Sequence, residues 1–183
     1  MKKENKILDF FITTLNGMAY GLFATLIIAT IIGSIGGLFP DTEFNNILKQ
    51  TSSLLSNLTG AGIGIGIALA LKADSLKTIV LASVGEISSY FSLTTKFVND
   101  GTITNSMKIG DPLTIYLVVI ITNLLLKLIF QKKTPVDILL VPLCGISLGL
   151  IFSLLVRYPT IYVTYGIQYI VNEATLIQPI LMG

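Results

Sequence analysis

The chain contains no histidine and no tryptophan among its 183 residues. Without imidazole it has no histidine general base, no zinc–histidine site and no phosphohistidine chemistry of its own. Without tryptophan, any aromatic belt at a membrane surface must be built from Tyr and Phe. The single cysteine, Cys144, excludes an internal disulfide and a cysteine-cluster metal site. Charge is also scarce: Asp, Glu, Lys and Arg make up 12% of the chain, whereas a soluble domain carries about 25%. The 12 basic and 10 acidic residues leave a net charge of +2, too balanced to point to a nucleic-acid partner. What is abundant is apolar surface, with 52% hydrophobic residues and a mean hydropathy of +0.82. These values exclude an ordinary cytosolic domain and a disordered chain, and leave lipid as the outer solvent.

A basic start, Met1-Lys2-Lys3-Glu4-Asn5-Lys6, precedes an apolar run over 17–39. No Ala-x-Ala cleavage site follows, so the run reads as an uncleaved first span closed by Pro40-Asp41. Residues 41–57 place Phe44, Ile47, Leu48 and Leu55 at helical spacing among polar residues, which predicts an amphipathic helix at the membrane surface. The apolar stretch 58–71 is short and glycine-rich, and suits a broken or re-entrant helix. Together with 76–93 it forms either two spans or a hairpin. Residues 94–111 are polar, with a turn signal at Asn99-Asp100-Gly101. Firm spans follow over 113–130 and 136–156, then a weaker helix over 160–174. Lysines group at Lys2/Lys3/Lys6, Lys72/Lys77 and Lys132/Lys133, which places the N-terminus in the cytoplasm with five crossings. The fold class is therefore all-α, a polytopic transmembrane helical bundle with short or broken glycine-rich helices, in a single membrane domain over 1–183. The chain closes on an apolar run after Pro179, so a further helix is expected and the chain reads as a fragment.

The run from Gly60 to Ala70 is not a dinucleotide fingerprint, since no GxGxxG occurs in it. On a helix, Gly60, Gly64 and Ala68 make one small-residue ridge, and Gly62, Gly66 and Ala70 make another about 200° away. Both faces permit close backbone approach, so this helix is expected between two neighbours. Gly33/Gly37 and Gly145/Gly149/Ser153 repeat the pattern. Close packing is the plainer meaning, and a backbone-lined substrate path is the functional one.

A charge at mid-bilayer costs about 2.5–3.5 kcal/mol on insertion scales, so Glu86 requires a reason. It shares a stripe with Ser83 and Tyr90, beside Ser89, and is either a substrate-facing carboxylate or a solvated interfacial one. Asp137, after Thr134-Pro135, and Asp111, before Pro112, are explained by helix capping. Asn172, Thr175 and Gln178 recur every third residue with Glu173 adjacent, which suits a hydroxyl-rich ligand or interhelical hydrogen bonds. Cys144 lies in a span without a base or cation nearby and reads as a packed small residue.

Several short runs together carry a family likeness. They are 16–25 (Asn-Gly-Met-Ala-Tyr-Gly-Leu-Phe-Ala-Thr), 62–72, Gly110-Asp111-Pro112, 133–138 with Pro142, and the closing run 175–183. In this order the chain resembles the enzyme IIC membrane component of bacterial phosphotransferase systems, in its perfringolysin-regulatory-protein-like branch, over about the first half of a typical member. The resemblance implies a multi-pass protein of the bacterial cell membrane that translocates a sugar, phosphorylated on arrival by a partner subunit. Implied partners are the sugar, the IIA and IIB components, the lipid bilayer and a second copy of the chain. No cofactor or metal is implied. With no phosphoryl-carrier residue, the chain is at most the transport component. The substrate-binding candidates are Glu86, Asn172, Glu173, Thr175 and Gln178, with Tyr90 or Tyr165 stacking on the sugar. Glucose-type relatives pair a Glu with a His near the sugar, and this chain has no such His. Two other roles fit the same sequence: a membrane-embedded regulator with a permease-like fold, and an ion-coupled transporter using Glu86 as its proton site.

Overall fold

In the computed structural model of the protein, residues 2–40, 42–95, 103–105, 110–131 and 134–177 are described, and the first helix starts well before the apolar run. Helix α1 (Lys2–Leu22) continues through a π-helical turn (Phe23–Ile27) into α2 (Ile28–Gly37). The expected boundary at residue 17 was set by hydropathy, but the polar first turns are helical too, and the candidate span is Lys6–Gly37.

Helix α3 (Glu43–Asn57) opens on Thr42, whose side chain accepts a hydrogen bond from the Asn45 N–H at 3.1 Å. It runs back along α2, where Ser52 donates to the Ala29 carbonyl at 2.7 Å. At Leu58 the chain bends by 49° into α4 (Thr59–Ala70), which runs back along α1. The π turn touches both α3 and α4, so the irregular turn of one strand of this helical hairpin lies opposite the break in the other. α4 therefore belongs to a broken helix, as its length and glycine content suggested. Helix α3 packs lengthwise on α2, with Ser52 beside Gly33 and Leu48 and Asn45 beside Gly36.

The expected sandwich of α4 is present. Gly62 and Gly66 abut Gly21 and Gly17 of α1, while Gly60 and Gly64 abut Gly85 and Leu81 of α5 (Ser75–Phe91). A methyl group at any of these α4 positions would press into the neighbouring helix. The third face of α4 carries the exposed Ile65 and Leu69. Gly145 and Gly149 repeat the device against Val80 and Val84, whereas Gly37 has open space beside it and Gly36 makes the contact with α3 instead.

The α4–α5 link contains Lys72 in the left-handed region (φ 52°). After α5, the segment expected to be turn-rich contains two three-residue strands, β1 (Leu93–Thr95) and β2 (Ile103–Asn105). They pair antiparallel with Thr94 opposite Thr104, a match for β-branched residues. The Asn99-Asp100-Gly101 signal lies outside the described residues. Helix α6 (Pro112–Ile129) is the firm span foreseen.

Helix α7 (Asp137–Ile177) is the main surprise of the second half: 41 residues without a break, although Pro142 and Pro159 lie inside it. At 1.5 Å per residue it is about 60 Å long, roughly twice a hydrocarbon core. A stop at Arg157-Tyr158-Pro159 was the expectation. The helix runs on through Pro159, and Thr160 Oγ1 lies 2.8 and 3.2 Å from the carbonyl oxygens of Val156 and Arg157.

The core lies where α4, α5 and α6 meet, around Ile63, Ile67, Leu81, Val84, Ile115 and Val118. Large apolar side chains on α1, α2 and α7 face outward, Tyr20, Ile31, Ile138 and Leu139 among them. Among the described residues, three helical stretches are long and apolar enough to cross a membrane: Lys6–Gly37, Pro112–Ile129 and Asp137–Val171. The bent α3–α4 pair makes a fourth if it is one span. The fold is an all-α membrane bundle.

Candidate functional site

Glu86 lies on α5 where α5 passes the start of α4. Its Oε2 accepts the Ala61 N–H at 3.1 Å. Helix α4 needs this contact, because Leu58 at its N-cap supplies no side-chain acceptor and the first four N–H groups of a helix have no partner within it. The carboxylate thus sits, half-buried, at the positive end of the half-helix beyond the 49° break. Gly60 permits this approach, since a methyl there would meet the Glu86 backbone.

The stripe expected around Glu86 divides between neighbours. Ser83 bonds back to the Ile79 carbonyl at 3.3 Å. Tyr90 points outward, its ring edge-to-face with Phe91. Ser89 is buried and accepts the Gly110 N–H at 3.0 Å. Asn172, Glu173 and Thr175 fall in the last turns of α7, and Gln178 lies outside the described residues. The described hydrogen bond of Glu86 goes to α4, not to those turns. Tyr165 is partly exposed on α7. Cys144 is half-buried against the core, as a packed small residue would be.

Asp111 caps α6 as expected, accepting from the Thr114 N–H and hydroxyl at 3.2 and 3.0 Å, with Pro112 at the first turn. It also does something the sequence did not disclose. The Thr164 hydroxyl of α7 donates to the same Oδ2 at 3.3 Å, and the Thr114 and Thr160 hydroxyls are joined at 2.7 Å. Ser92 accepts the Asp111 N–H at 3.2 Å and donates to the Ser89 carbonyl at 2.8 Å. One polar network therefore ties the end of α5 and the start of α6 to the middle of α7. The paired spacings Ser89/Ser92 and Thr160/Thr164 were its only trace in sequence. Replacing Thr160 with Val keeps the shape and removes the buried bond to Thr114. It is expected to cost about 1–2 kcal/mol, read as a lower thermal midpoint of the detergent-purified protein.

At the other end of α5, a cleft of about 440 Å³ opens between Asp74, Lys77, Phe130, Thr134, Asp137 and Val141. Asp74 caps α5 by accepting the Lys77 N–H at 2.9 Å and pairs with the Lys77 ammonium at 3.7 Å. Asp137 accepts the Thr134 N–H at 2.9 Å, the capping foreseen for α7. Both acids are thus occupied in holding helix starts. Among the described residues, no three His, Cys, Asp or Glu side chains gather as a metal site.

What this arrangement offers chemically is positioning: a carboxylate at a broken helix, a hydroxyl network and helices in backbone contact. A protein-family model described as "Phosphotransferase system, EIIC" matches residues 12–183. No curated protein and no solved structure matches the chain. The match runs from the second half of α1 through α7, and the chain belongs to the phosphotransferase-system EIIC family.

Proposed function

We propose that this protein is the sugar-translocating membrane component of a phosphoenolpyruvate-dependent phosphotransferase system, handing its sugar to a partner IIB subunit for phosphorylation. The observation that carries the reading is the family match across residues 12–183. The chemistry of the chain agrees with that division of labour. It has no histidine, and its one cysteine is packed in α7, so the phosphoryl group travels on IIA and IIB.

In this reading Glu86 binds sugar hydroxyls at the broken α3–α4 helix, and Asn172, Glu173, Thr175 and Gln178 contribute from the end of α7. The N-terminus is cytoplasmic. Support comes from the packing of Gly17 on Gly66 and Ala70, which sets the early part of α1 beside the end of α4 and the Lys72 link. The cleft, lined by the α4–α5 and α6–α7 links, then faces the same side. Within the family, the order of motifs over 16–25 and 62–72 favours the perfringolysin-regulatory-protein-like branch.

The test is reconstitution of the full coding product in vesicles with soluble phosphotransferase proteins, phosphoenolpyruvate and a panel of radiolabelled sugars. Accumulation of one sugar as its phosphate is the expected result. Absence of uptake for every sugar, with altered transcription in a deletion strain, would replace transport by a regulatory role.

A further inference from the structure

Hydroxyls on these helices satisfy themselves. Thr25, Ser34, Thr51, Ser83 and Ser153 each donate to the carbonyl four residues earlier. The Ser88 hydroxyl of α5 and two adjacent side chains near the middle of α6 do not follow this rule. Thr122 and Asn123 are completely buried, and Thr122 Oγ1, Asn123 Nδ2 and Asn123 Oδ1 have no hydrogen-bond partner among the described residues. Their surroundings are apolar: Val118, Val119 and Leu126 of the same helix are also fully buried. Seven residues before Asn123, and so on the same face of α6, Tyr116 reaches α1 through a 2.8 Å hydrogen bond to Thr14.

Leaving one buried donor or acceptor unpaired costs about 1–3 kcal/mol, and here three such atoms lie on two consecutive residues. Packing does not call for this, because Val and Leu would fill the same space without penalty. An amide that both donates and accepts, beside a hydroxyl that does the same, is complementary to another hydroxyl.

We infer that Thr122 and Asn123 form a hydroxyl-recognising step on the solute passage, sealed in the conformation described here and opened to water and to sugar hydroxyls when the helices part. The inference rests on the permease reading and adds residues to it.

The test reads water access directly and needs no sugar and no partner protein. In a Cys144→Ser background, Asn123→Cys and the control Ala29→Cys, at a fully buried position of α2, are exposed in vesicles to a small membrane-impermeant methanethiosulfonate. A passage state populated at about 0.1–10% should modify the cysteine at 123 at least about tenfold faster than that at 29. Should Asn123→Cys fail to assemble, the nearly isosteric Thr122→Cys carries the same comparison. In parallel, Thr122→Val removes an unpaired hydroxyl without changing shape, and the thermal midpoint should rise by about 2–4 °C. Equal labelling at the two positions overturns the inference. So does a fall in the midpoint of Thr122→Val, which would mean the hydroxyl is already satisfied in the resting protein. Fast labelling without sugar uptake would keep the passage and remove the sugar; uptake without labelling would do the reverse.

Discussion

Gly64→Ala is expected to lower stability by about 3 kcal/mol or to prevent assembly. The added carbon would overlap the Leu81 carbonyl and crowd the Ala82 Cα. These are backbone atoms of α5, which no rotamer change can move aside. Relief requires separating α4 from α5, and that separation would strip Ile63, Ile67 and Leu81 of their packing, all fully buried. Association of membrane helices depends on this contact, since lipid tails are as apolar as the helices and burial alone supplies no preference. Gly166→Ala is the matched control: it lies inside α7 with nothing within 4 Å of its would-be Cβ, and better helix propensity should gain about 0.5–1 kcal/mol there. Thermal midpoints and the monodisperse fraction after detergent extraction would separate the two. A Gly64→Ala protein as stable as the parent would show that the α4–α5 seam does not hold the bundle together.

The seam was readable because glycines four residues apart must share a helical face, and two interleaved sets must serve two neighbours. Broken geometry at Leu58 was readable from a 14-residue apolar run with polar helix before it. The caps at Asp111 and Asp137 were readable from chain order alone. Boundaries that depend on hydropathy fared worse. A hydropathy window stops where Lys6 and Asp9 begin, yet α1 has already been helical since Lys2, because charged residues are good or tolerable helix formers. Pro159 reads as a stop, but the helix runs on through it, its two flanks held against α5 and α6. Thr122 and Asn123 look in sequence like any polar pair in a span; only packing distinguishes a side chain sealed in the core from one facing a neighbour's hydroxyl. Likewise Thr160 and Thr164 acquire meaning from Thr114 and Asp111, some 50 positions away.

Glu86→Gln is expected to fold and yet lose at least tenfold in sugar phosphorylation, a change of about 1.4 kcal/mol or more in transition-state stabilisation. The substitution separates two duties of one side chain. Gln retains a carbonyl oxygen at the position of Oε2, so the Ala61 N–H, 3.1 Å away in the parent, keeps its acceptor and α4 keeps its start. What disappears is the negative charge. Hydrogen bonds from sugar hydroxyls to a carboxylate are about twice as strong as those to a neutral amide, and they strengthen further in a site closed to water. Glu86→Ala removes both duties. It leaves an N–H of a broken helix unpaired at a packed seam and should cost about 1–3 kcal/mol of stability in addition to the activity. Thermal midpoints of the two variants, read beside their uptake rates, decide the matter. Full activity in a stable Glu86→Gln protein would reduce Glu86 to the cap of α4 and move the sugar site elsewhere. A loss of activity in Glu86→Gln at unchanged midpoint, shared by Glu86→Ala, would assign the charge itself to the sugar. Proton coupling has its own signature in the same pair of proteins: uptake by the parent would depend on the pH gradient, and uptake by Glu86→Gln would not.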